Sequence, residues 1–123
     1  MRDREIFSPA KLLKRVSGNE RLLREIIGIF LMETPRQLDK LHRASVNKDL
    51  MEMGRIAHKL NGAAAIICAE AIVDIALRLE SAGKECPYPW DAVCMLVKRL
   101  DEEFVEFKKD LSHSGYLECS VKN

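Results

Sequence analysis

Apolar residues recur every three or four positions along most of the chain. No stretch of four to eight residues alternates apolar with polar in the β-branched-rich manner of a strand. Ser8-Pro9 has the form of an N-cap followed by proline at the first helical position. Leu12, Leu13 and Val16 then give a short helix that Gly18 stops. Asn19 caps a second segment, in which Leu22, Leu23, Ile26, Ile27, Phe30, Leu31, Leu38 and Leu41 keep helical spacing. Pro35 removes one backbone donor inside it, which predicts a kink or break near Glu33-Thr34. A third segment opens at Asn47 or Asp49 and runs to about Cys68. A fourth runs from about Ala69 to Ala82, with Ile72, Ile75, Ala76 and Leu79 on one face. Gly83 to Pro89 is a loop by composition. From Trp90 to Leu111, the residues Val93, Val97, Leu100, Phe104, Phe107 and Leu111 step by four and three, the spacing of a bundle-packing face.

Four long amphipathic helices with short connections bury their stripes most simply as an antiparallel four-helix bundle, the short first helix covering one end. The predicted fold is all-α, with a helical domain over residues 1–112 and a polar tail over 113–123. A chain of 123 residues is long enough for one core of this kind.

Charge narrows the partners. Twenty Lys+Arg against 19 Asp+Glu give a net +1, without the basic excess that nucleic acid or an anionic membrane surface would attract. No run of eighteen apolar residues is present, and the opening Met1-Arg2-Asp3-Arg4-Glu5 lacks the apolar stretch of a signal peptide. A cytoplasmic domain is expected. Cys68, Cys86, Cys94 and Cys119 form no C-x-x-C pair and have no histidine at zinc-ligand distance. Free thiols in a reducing compartment are the expectation, with Cys68 alone buried.

The third helix carries the informative feature. At about 100° per residue its apolar side centres near Leu60 and includes Met53, Ile56, Ala57, Ala64 and Ile67. His58 lies about 160° away, among Met51, Gly54, Arg55, Gly62 and Ala65. Each glycine inside a helix costs roughly 1 kcal/mol against alanine. A purely structural exposed face would carry Glu, Lys or Gln there. Small residues around an exposed imidazole leave room for another surface to reach the ring, which makes this face a candidate docking site. Spacing alone is equally compatible with an ordinary solvated histidine and incidental glycines.

Other chemistries fit worse. A di-iron bundle needs Glu-x-x-His pairs, of which there are none, and His42, His58 and His113 share no helix, so no metal site is expected. No serine or cysteine stands in an elbow or triad signature, and Gly62-Ala63-Ala64-Ala65 is not a phosphate-binding loop.

The run Ala57-His58-Lys59-Leu60-Asn61-Gly62-Ala63-Ala64-Ala65 resembles the phosphoacceptor motif of histidine-containing phosphotransfer (HPt) domains, usually H-x-L-K-G followed by small residues. Leu12-Leu13-Lys14-Arg15-Val16-Ser17-Gly18-Asn19, Leu22-Leu23, Ile29 to Pro35 with Gln37-Leu38, Leu77-Arg78-Leu79-Glu80 and Glu103-Phe104 extend the similarity over about residues 7 to 111. The resemblance implies a phosphorelay carrier of two-component signal transduction. In it His58 accepts a phosphoryl group from a response-regulator receiver aspartate and passes it to another receiver, with Nε2 the attacking atom. It implies no cofactor and no ATP site, Mg²⁺ being supplied by the receiver, and hence no enzyme with turnover of its own. A hybrid sensor histidine kinase is a further partner of the same kind, and the domain is expected to be a monomer without membrane contact.

Lys59, on the flank, and Arg55, one turn before His58, are candidates to screen an incoming phosphate, or else a solvated helix face. Gly62 matches the family glycine whose missing side chain lets the receiver approach, and Met51, Gly54 and Ala65 complete the docking face. Glu80 matches a position where some members orient the imidazole with a carboxylate. By helix position it is a surface residue flanking Leu79, and that reading is preferred. Two departures stand out. Asn61 occupies the place of the usual lysine and can donate a hydrogen bond but not neutralise charge. Cys68 stands where glycine is common, a place that a small buried thiol can fill with modest backbone consequences.

Two rival readings remain. A dimeric histidine kinase core would have an acidic residue after the histidine and a proline downstream, where this chain has Lys59 and Gly62. A non-phosphorylated HPt-like docking or dimerisation scaffold would not need His58 between two glycines, although Asn61 is compatible with it.

Overall fold

A computed structural model describes residues 9–84 and 89–114. Five helices follow one another: α1 (Pro9–Arg15), α2 (Glu20–Val46), α3 (Leu50–Ile66), α4 (Glu70–Lys84) and α5 (Trp90–Ser114). No strand occurs among the described residues. The four long helices close a ring, α2 packing on α3, α3 on α4, α4 on α5 and α5 back on α2, with α1 against α2. Cross-helix pairs show neighbours running antiparallel. Gly54 meets Gly83 while His58 meets Glu80, and Phe30 meets Phe107 while His42 meets Asp101. The all-α bundle expected from periodicity is the fold.

The helix boundaries follow from local chemistry. The Asn19 side chain accepts from the Leu22 N–H and the Asp49 side chain from the Glu52 N–H, each satisfying a donor that the first turn leaves open. The first three helices end alike. The N–H groups of Gly18, Asp49 and Ala69 reach back to the carbonyls of Leu13, Ala44 and Ala64, five residues earlier. The residue before each, Ser17, Lys48 or Cys68, takes a positive φ of 56°, 54° or 62°. This is the Schellman closure, normally given to glycine. A glycine, which the resemblance leads one to expect at position 68, would take this φ without strain. Cys68 holds a left-handed backbone, so its consequence is larger than a filled space: such a conformation costs an L-residue roughly 1–2 kcal/mol.

Pro35 neither breaks nor divides α2, which is one helix of 27 residues. Of the expected kink or break, the break is absent, because the core holds the helix on both sides of the proline. Phe30, Leu38 and Leu41 are buried on one stripe. Burying each such side chain stabilises by roughly 1.5–3 kcal/mol, which together exceeds the ~3 kcal/mol cost of an interior proline.

The predicted apolar stripes of α3, α4 and α5 are all buried, and Phe30, Phe104 and Phe107 interlock with ring centroids 5.0–6.3 Å apart. Leu22 departs from its stripe and is exposed. Gly83 and Lys84, placed in a loop by composition, instead finish α4. Cys68 is buried and Cys94 exposed, both as free thiols, and Cys86, Cys119 and Ser8 lie outside the described residues. Helix α5 continues to Ser114, past the expected domain boundary at 112. No helix among the described residues is long and apolar enough to cross a membrane.

Candidate functional site

Burial of Met53, Ile56, Ala57, Leu60 and Ala64 fixes the rotation of α3. With that stripe inward, His58 must face out, and its side chain is 70% exposed. Helix α4 lies unusually close on one side. A Cβ added to Gly83 would stand 2.9 Å from the Gly54 Cα and 3.1 Å from the Leu50 carbonyl oxygen. One added to Gly54 would stand 3.2 Å from the Gly83 Cα. The two helices therefore touch backbone to backbone. Gly54, which the wheel places on the open face around the imidazole, is buried in this crossing. Its missing side chain makes room for α4, and the two glycines also line the groove beside His58.

One turn back along α4 from this contact, Glu80 comes level with His58. The ring Nδ1–H donates to Glu80 Oε2 at 2.8 Å. The Glu80 side chain is only 16% exposed, so the preferred reading of it as a surface residue flanking Leu79 is incorrect. The close helix crossing brings the carboxylate within reach of the ring. Lys84, one turn further on, places Nζ 3.7 Å from the same Oε2. No partner of Nε2 is present among the described residues, and the imidazole edges a groove of about 410 Å³ that Met51, Arg55, Lys59, Glu80 and Lys84 also line.

The remaining predicted residues divide. Met51 is 74% exposed and lines the groove. Arg55 is exposed with Nη1 3.3 Å from Glu52 Oε1, and Lys59 is exposed beside the ring. Gly62 is exposed, and a Cβ there would meet nothing within 4 Å. Ala65 is exposed further along the same face, its carbonyl taken by Arg15 Nη1 at 2.9 Å. Asn61 is half-buried and does not line the groove. Sequence reasoning missed Lys84 and Gly83. The i,i+4 spacing of Glu80 and Lys84 was the available signal for the first. No local pattern reveals a glycine pair that meets only across two helices.

The other histidines are elsewhere. His42 pairs through Nε2 with Asp101 Oδ2 at 2.7 Å across α2 and α5, and His113 is exposed near the end of α5. Among the described residues no group of three or more His, Cys, Asp or Glu side chains is placed to hold a metal ion.

The site's features converge with what the chain is similar to. Residues 25–108 match the Hpt domain family. Among curated proteins, the Virulence sensor protein BvgS of Bordetella bronchiseptica is 28% identical over 85 residues, covering 68% of this chain and 7% of that protein. The proteins of the same name from Bordetella parapertussis and Bordetella pertussis are 27% and 26% identical over 94 residues, covering 76% of this chain and 8% of each. The chain thus spans less than a tenth of the length of these relatives. No solved structure matches it. Hpt domains are histidine phosphotransfer modules of phosphorelays that interact with receiver domains and typically have no ATP site of their own. With the family match covering most of a bundle that presents one imidazole over a groove, this chain belongs to the Hpt domain family.

Proposed function

We propose that His58 is the phosphoacceptor of a cytoplasmic phosphorelay carrier. It takes a phosphoryl group from the aspartate of a response-regulator receiver domain and passes it to another receiver. The observation that carries this reading is the 2.8 Å bond from Nδ1 to Glu80 on an imidazole otherwise open to solvent. A carboxylate only accepts, so the proton of the neutral ring is on Nδ1 and the free lone pair on Nε2.

Nε2 attacks phosphorus as the P–O bond to the receiver aspartate breaks. The electron pair of that bond leaves with the carboxylate oxygen, an Nε2–P bond forms, and no proton has to move. The ring gains positive charge, which the hydrogen bond to Glu80 stabilises better than it stabilised the neutral ring. Onward transfer is the reverse, the N–P electron pair returning to the ring as a second aspartate oxygen bonds to phosphorus. Such transfer asks mainly for positioning and charge neutralisation. Here Glu80 sets the ring, and the receiver supplies Mg²⁺ and its acidic pocket. Open space over Gly62, with Met51, Arg55 and Ala65 on the same face, suits close approach of the receiver surface.

The test is transfer from a receiver charged with labelled phosphate in Mg²⁺ to the wild-type chain and to His58→Gln. Acid-labile, alkali-stable label on the wild type and none on the variant is the expected result. Equal labelling of the variant would overturn the assignment. A folded wild type that no receiver of its source labels would overturn the carrier role and leave a docking scaffold.

A further inference from the structure

Three cationic side chains border the His58 groove, Arg55, Lys59 and Lys84, and they are not equivalent. Arg55 is engaged with Glu52 on its own helix. Lys59 is next to His58 in sequence, so its Cα–Cβ direction turns about 100° away from the imidazole. Lys84 comes from the facing helix, and its Nζ is 3.7 Å from the Oε2 that also holds the ring. We propose that Lys84 is the positioning cation of this site, which leaves Glu80 to pair with the phosphoryl oxygens once Nε2 is phosphorylated. The inference rests on the reading of His58 as the phosphoacceptor and adds a residue to it.

The geometry supports the move. Lys84 ends α4, its side chain is 77% exposed, and its ammonium stands 3.7 Å from the half-buried Glu80 carboxylate, a separation at the long limit of an ion pair that leaves the ammonium loosely held. A flexible four-carbon stem lets the ammonium swing from the carboxylate to a dianionic group on the neighbouring ring without backbone movement. The backbone contact of Gly54 with Gly83, the residue immediately before Lys84, keeps the root of that stem against α3. Position 61, nearly one turn beyond His58 along α3, is a neutral asparagine outside the groove. A cation on α4 is thus available where that position of α3 offers none. The ordinary role for a lysine in the last turn is to complement the helix dipole, which affects stability alone.

The experiment separates these roles without any receiver. The full chain is phosphorylated with phosphoramidate, divalent ions are removed with EDTA, and His58-borne phosphate is defined by subtracting the His58→Gln signal. The decay of that phosphate and the pH midpoint of its ³¹P resonance are then followed in the wild type, Lys84→Gln, Lys84→Arg, Lys59→Gln and Lys84→Gln/Asn61→Lys. A cation on the phosphoryl oxygens resists the loss of charge from them as the N–P bond loosens. Lys84→Gln should therefore shorten the lifetime about threefold and raise the midpoint, with Lys84→Arg restoring both and Asn61→Lys restoring them in part. An unchanged lifetime and midpoint in Lys84→Gln, or the same loss in Lys59→Gln, overturns the assignment while leaving His58 as acceptor. Absence of any His58-dependent phosphate on the wild type overturns both.

Discussion

Replacing Gly83 by alanine tests the feature on which the site's geometry depends. The new Cβ would lie 2.9 Å from the Gly54 Cα and 3.1 Å from the Leu50 carbonyl oxygen, against 3.4–4 Å for ordinary contact. Both obstacles are backbone, so no rotamer change relieves them and α3 and α4 must part by about 0.5 Å or more at the crossing. Overpacking of this kind costs typically 1–3 kcal/mol. The gain in helix propensity from glycine to alanine is at most ~1 kcal/mol, and smaller near a helix end. The net expectation is a loss of about 1–2 kcal/mol, or several degrees in Tm. Gly62→Ala is the matched control. It is exposed in a helix interior with nothing within 4 Å of the new Cβ, so it should gain about 0.5–1 kcal/mol. Urea titration of the two variants beside the wild type, fitted with a common m-value, resolves the difference of opposite signs. Nitrogen-15 NMR of His58 reports the second consequence, a weaker Nδ1–Glu80 bond in Gly83→Ala and an unchanged one in Gly62→Ala. A Gly83→Ala chain as stable as Gly62→Ala would refute the backbone-contact argument.

Three further outcomes follow from the same structure. Glu80→Ala should slow single-turnover transfer from a charged receiver about tenfold by freeing the ring, close to the loss of one charge-assisted hydrogen bond, while Glu80→Gln, still able to accept from Nδ1, should lose less; equal rates in all three would show that the bond has no part in transfer. Gly62→Glu should impair transfer and leave the circular dichroism melt almost unchanged, because its side chain enters open space over the docking face; normal transfer by that variant would contradict the docking assignment. Phe107→Ala, which empties a fully buried position against Phe30 at 5.0 Å, should cost about 3–5 kcal/mol in chemical denaturation, and a loss under 1 kcal/mol would show the aromatic cluster to be loosely packed.

The two residues read most differently from sequence and from structure are Glu80 and Gly54. On a helical wheel Glu80 is simply next to Leu79, and the wheel carries no information about the opposing helix. Resemblance to the family pointed to it, and helix position argued against it. The distance of one hydrogen bond became visible only with α3 and α4 side by side. Gly54 is the opposite case. Local reasoning marked a costly glycine near His58 and assigned its space to a visitor, whereas the place a Cβ would take is filled by Gly83, from a segment that composition places in a loop, and both glycines line the groove. Pro35 is a related case. A single-residue rule predicted a kink or break, and the buried stripe on both sides of the proline keeps α2 one continuous helix, so the break is absent.

The sequence by itself determined the all-α class, the inward stripes of α3, α4 and α5, and the outward direction of His58. Each of these is set by a period of 3.6 residues acting within one helix, so neighbours along the chain carry the whole signal. Only the tertiary structure decided which nitrogen of His58 is held, that Glu80 holds it, and that Lys84 stands beside them. Those facts depend on the distance and register between two helices, set by a backbone contact of two glycines 29 positions apart. That contact leaves no periodic trace in the chain, because close approach requires the absence of a side chain and not a pattern of them.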